Sequence, residues 1–175
     1  MGLDVLEIVL GWESAFGFTI SDREFAALRK PTQAIDFIAE KLGAKEDKFR
    51  GCLSHRAFNR IRHALTESLG VSRWDINPQT CLSLLMKGKQ HRKSWSEMRR
   101  VSGFLSLPGR ICSHPNTVGD LTHWVVNHEP LRVKAPGEPW TRLEIRTVVR
   151  GVLAEAIGEK NYSDDDDFIS VLRLD

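Results

Sequence analysis

The sequence predicts an all-α protein, and three observations bear on that expectation and on how the chain is organised. Apolar residues recur at three- and four-residue spacing through most of the 175 residues, whereas strand-like alternation is scarce and there is a single tyrosine. Helix-start signals stand at Ser21-Asp22-Arg23-Glu24, Ser94-Trp95-Ser96-Glu97, Thr117-Val118-Gly119-Asp120 and Thr141-Arg142-Leu143-Glu144. Charge is segregated: residues 1–50 carry seven Lys/Arg and nine Asp/Glu, residues 51–128 eleven and four, and residues 129–175 seven and ten. The net values of −2, +7 and −3 make the two ends resemble each other more than either resembles the middle, which also holds all six histidines.

Composition excludes several classes. A hydrophobic fraction of 41% is normal for a chain that buries a core, so disorder is not expected. No apolar run approaches the ~20 residues that span a bilayer, so no membrane partner is expected. Asp4 and Glu7 stand where a signal peptide would be basic, which argues against export. Cys52, Cys81 and Cys112 are odd in number and in no paired motif, which reads as buried or idle thiols in a reducing cytoplasm.

Taken in order, the first helix runs from the N-terminus to Phe16-Gly17, with Leu3, Leu6 and Leu10 on one stripe and Val5, Val9, Trp12 and Phe16 on the next. Ser21 and Glu24 open a short helix carrying Phe25 and Leu28. Pro31 suits the first turn of a third helix, which buries Ile35, Ile38, Ala39 and Leu42 and stops at Gly43. Residues 44–52 are polar and read as a linker. A helix over about 56–69 places Phe58, Ile61, Leu65 and Leu69 inward and stops at Gly70. A long loop reaches about Lys93, after which Ser94 caps a helix with Trp95, Met98 and Val101 on one face. Thr117 caps a helix carrying Val118, Leu121, Trp124 and Val125. Residues 129–137 read as a second linker, rich in proline. The last helix, opened by Thr141, buries Ile145, Val148, Val149, Val152 and Ala156 and stops at Gly158. An acidic, solvated loop, Asp164 to Asp167, precedes the end.

Two internal matches are present. Ile61-Arg62-x-x-Leu65-x-Glu67-x-Leu69-Gly70 pairs with Val149-Arg150-x-x-Leu153-x-Glu155-x-Ile157-Gly158, and residues 34–38 pair more loosely with residues 121–125. The first set resembles helix one of acyl carrier proteins, the second their last helix. The opening Gly2-Leu3-Asp4-x-x-Glu7 resembles that family's second helix, which begins at the serine carrying phosphopantetheine. Gly2 stands at that serine's place. Phe168-x-x-x-Leu172-x-Leu174-Asp175 resembles the segment just before the serine. The resemblance implies two acyl-carrier-like four-helix bundles. One is permuted and built from residues 1–43 plus 138–175, and the other, basic, spans residues 53–128. Three helices in the first ~43 residues bury too little to fold alone, as does the last helix, so docking them together satisfies both. The same contacts made between chains would give a domain-swapped homodimer.

The resemblance implies a carrier descendant that holds no acyl group. Its function would be non-catalytic protein recognition through the helix-two face, Leu3, Asp4, Glu7 and Glu13, with a protein partner and no cofactor. The alternative is a working carrier with phosphopantetheine on Ser94, placed in fatty-acid or polyketide chemistry. Against it, Ser94 is already explained as a cap and follows a basic run. A second alternative is a helical nucleic-acid binder using residues 87–100, with Lys87, Lys89, Arg92, Lys93, Arg99 and Arg100 as its basic surface. No aromatic residues are interleaved there for base stacking. The histidines have no metal-site spacing, and no nucleophile pairs with a base, so neither metal nor catalysis is expected.

Overall fold

A computed structural model describes residues 3–45, 52–86, 91–109, 115–158 and 161–174, the side chains of Leu3, Asp4 and His91 excepted. Among these the chain is all-α: nine helices, one 3-10 turn and no strand. It divides into two compact units, Met1–Arg50 with Lys134–Asp175, and Gly51–Val133.

In the first unit, α1 (Leu3–Phe16) buries Val5, Ile8, Val9, Trp12, Ala15 and Phe16. Of the two stripes expected on this helix, that of Val5, Val9, Trp12 and Phe16 is the core face, while Leu6 and Leu10 face out. Ser21 caps α2 (Asp22–Ala26) through the expected capping box. Lys41 reaches Glu24 at 2.8 Å, and this bond together with those from Ser21 holds the Glu24 carboxyl down to about 2. α3 (Pro31–Lys41) buries Pro31, Ala34, Ile35 and Ile38, and leaves Ala39 and Leu42 half-buried.

The unit's last helix, α9 (Arg142–Ile157), is opened by the Thr141 capping box and packs against both α1 and α3. Gly11 lets α1 approach it: a Cβ there would sit 2.6 Å from Cγ1 of Val152. Trp12 lies against Phe25 and Phe168, with ring centroids 6.1 and 6.4 Å away, so the C-terminal segment supplies part of this core. The acidic loop is not merely solvated. Arg146 Nε donates to Asp164 at 2.5 Å, Arg150 donates to its other oxygen, and the Asp164 carbonyl accepts from Thr32.

In the second unit, α4 (Leu53–Leu69) packs on α6 (His91–Ser102) and α7 (Val118–His128). It starts earlier than the sequence suggests, because exposed Cys52 acts as N-cap, its Sγ accepting from His55 N–H at 3.4 Å. Leu53, Ala57, Ile61, Ala64 and Leu65 are buried, whereas Phe58 and Leu69 are half-buried. The long loop contains a 3-10 turn (Arg73–Asp75) and the short α5 (Leu82–Leu85). It is laced to α7: the Gly119 N–H donates to Pro78 O at 2.7 Å, an approach a Cβ at Gly119 would block.

Two expectations need correction here. The Ser94 cap does not form, since α6 begins at His91 and Ser94 lies half-buried inside it. Arg92 and Lys93 are good helix formers and carry the helix back past the serine. Glu97, meant to complete the cap, pairs with Arg100 instead. The proline-rich stretch after α7 is not a bare linker. Pro130 opens α8 (Pro130–Val133), and Glu129 accepts from the N–H groups of Leu105 and Ser106. Burial alone would raise the Glu129 carboxyl, but these bonds leave it below the ordinary value.

Candidate functional site

The residues expected to form a partner-recognition face on α1 differ in exposure. Glu7 is exposed, and Leu6 and Leu10, one turn apart, are 43% and 53% exposed. Glu13 is different: it is half-buried, and its carboxylate accepts from the Ile20 N–H at 2.7 Å, so it ties down the chain after α1. Gly2 and the side chains of Leu3 and Asp4 lie outside the described set.

Beside this face runs an open groove of about 360 Å³ that sequence reasoning missed. Val5 of α1, Phe25 and Ala26 of α2, Leu28, and Phe168, Ile169 and Leu174 of the C-terminal segment line it, with Asp22 and Arg29 among them. The Phe168 N–H donates to Arg29 O at 2.8 Å, which fixes the C-terminal segment against the residues after α2. The stacked Phe25 and Phe168 rings, 6.3 Å apart and 6° from parallel, form an apolar wall. Such an arrangement can take an apolar side chain or small apolar group. The signal available in sequence was the pair Phe168 and Leu174, which a polar tail would not carry.

Of the basic stretch, Arg92, Lys93, Arg99 and Arg100 fall among the described residues. Lys87 and Lys89 lie outside the described residues. On α6, Arg92 and Lys93 are exposed, Arg99 is half-buried, and Arg100 is occupied by Glu97 at 2.5 Å. Among the described residues no group of three His, Cys, Asp or Glu side chains could hold a metal ion. His128 stacks on Trp124 at 4.2 Å between ring centroids, and its Nδ1 lies 2.8 Å from Trp124 O. No described helix is long and apolar enough to cross a membrane. No protein-family model matches the chain, and no curated protein or solved structure is significantly similar to it.

Proposed function

We propose that this chain is a non-catalytic, acyl-carrier-like module of two four-helix bundles, one of them permuted, whose work is to hold a protein partner. The observation that carries this reading is the groove. Val5 lines it together with Phe168 and Leu174, so the C-terminal segment meets the start of α1, as the permuted order requires. The same place combines an apolar cleft with exposed Leu6, Leu10 and Glu7 on the adjoining helix, a surface suited to a partner presenting an apolar anchor beside basic residues. Gly2, where carriers have their serine, offers no hydroxyl for a prosthetic group.

Photo-crosslinking from position 10 in native cells tests this reading, with Leu143, 52% exposed on α9, as the control position. The expected result is a discrete protein adduct from position 10 that is absent from position 143 and lost with Ile169→Asp. No adduct, or equal adducts from both positions, would contradict it. Incubation with coenzyme A and a promiscuous phosphopantetheinyl transferase is expected to leave the intact mass unchanged. A phosphopantetheine on Ser94 would replace the recognition reading with a carrier.

A further inference from the structure

A second cleft, of about 260 Å³, lies in the other unit, between α4 and the 3-10 turn. Asn59, Arg62, His63, Thr66 and Arg73 line it. Among the described residues neither Arg62 nor Arg73 has a carboxylate partner. The Asn59 side-chain oxygen accepts from Arg62 at 2.6 Å, and the Arg62 guanidinium sits 4.9 Å from the centroid of the Phe58 ring. That holds it in place while leaving most of its five donors unused. The Thr66 hydroxyl is buried and has no hydrogen-bond partner. Burial first, and then the Arg73 charge, push the Arg62 guanidinium below its ordinary value, so the site carries an unrelieved positive charge.

The internal repeat supplies the comparison. Arg62 and Arg150 occupy matching positions of the paired motifs. Arg150, with Arg146 one turn earlier, grips the Asp164 carboxylate, so that pair of cations is neutralised by the chain itself. At Arg62 and Arg73 no such acid arrives among the described residues.

We propose that the cleft formed by Asn59, Arg62, His63, Thr66 and Arg73 binds the dianionic phosphoryl group of a small molecule. Two guanidiniums with no carboxylate partner among the described residues match a dianion in charge. Their forked donors, with the His63 imidazole and Thr66 hydroxyl beside them, suit a group with three or four oxygens better than a carboxylate with two. The volume lies below the ~300–1,000 Å³ of pockets for drug-sized ligands, so the ligand is small. This site shares no residue with the groove of the first unit, and its test is independent of partner docking.

The test is a nuclear magnetic resonance titration of the full chain with inorganic phosphate, at constant ionic strength in chloride. Saturable shifts are expected at Asn59, Arg62, His63, Thr66 and Arg73. Affinity should fall by about ten-fold or more in Arg73→Gln and stay unchanged in Arg100→Gln, whose side chain is already paired. Arg73 is exposed and makes no side-chain bond to other described residues, so its variant keeps the fold. Glycerol phosphate in a parallel titration separates an esterified source from free phosphate, and acetate separates phosphoryl from carboxylate. Absence of saturable shifts, or shifts that Arg73→Gln leaves intact, would overturn the site. Acetate binding as tightly as phosphate would overturn the phosphoryl assignment.

Discussion

The two units differ at the arginine that the internal repeat places in each. In the unit built from both chain ends, Lys134 meets Glu144 at 2.7 Å with both side chains below a tenth exposed, and Asp164 closes the Arg146–Arg150 pair. In the middle unit the matching Arg62 faces Arg73 with no acid among the described residues. A charge satisfied within the chain serves the fold, because breaking the pair strands its partner. A charge left without an acid in a cleft costs stability and marks a candidate ligand site.

The contrast is easiest to break at its strongest point. Lys134→Ala leaves Glu144 buried without its cation and is expected to destabilise the protein by about 3–5 kcal/mol in urea unfolding. Asp164→Asn turns the Arg146–Arg150 site into a pair of unrelieved cations like Arg62 and Arg73. Because both arginines are partly exposed, the expected loss is smaller, about 1–3 kcal/mol. Burial alone would raise the Asp164 carboxyl, but hydrogen bonds from Arg146 and Arg150 outweigh it and leave it below its ordinary value. Its stabilising contribution is therefore present above the unfolded value near ~3.9 and lost as pH falls through the folded one. The variant should lack that part of the acid limb.

Tyr162, packed on Arg150, reports on the same site from the alkaline side. Its hydroxyl donates to Arg150 O at 3.0 Å, and burial pushes it up to about 12. As the chain's single tyrosine, it can be followed alone by difference absorbance. Ionisation is expected at about 12 in the folded protein and near ~10 in urea. Stability linked to it is complete below ~10 and lost as pH rises through about 12. At the small end, Arg100→Gln removes an exposed pair within one helix and should leave the urea midpoint unchanged.

Much of the helical framework was legible in sequence because its signals are local. The Ser21 and Thr141 capping boxes form as written, and Gly70 and Gly158 end α4 and α9 at a φ of 66° in both cases. Errors arose where a local signal competed with its surroundings. Ser94 lost its cap to the helix-forming residues before it, and Pro130 began a helix where prolines suggested a linker. The choice between two apolar stripes on α1 was decided by α9 and the Phe168 segment, more than a hundred residues away. The clefts were illegible for the same reason. Thr66 and Arg62 lie on one helix, but Arg73 joins them only through the turn after Gly70, and nothing in spacing announces that Asp164 would be absent from one repeat and present at the other.

Matched variants at the repeated arginine separate a charge that serves the fold from one that does not. Arg150→Gln and Arg62→Gln would be unfolded side by side in urea, in buffer free of phosphate and sulfate. A loss of about 2–3 kcal/mol is expected for Arg150→Gln, which strands part of Asp164 and breaks the contact with Tyr162. Less than about 1 kcal/mol is expected for Arg62→Gln, which among the described residues removes contacts with Asn59 and Phe58 and relieves repulsion from Arg73. Equal losses, or a larger one at Arg62, would make Arg62 a structural residue and contradict the distinction between the two units.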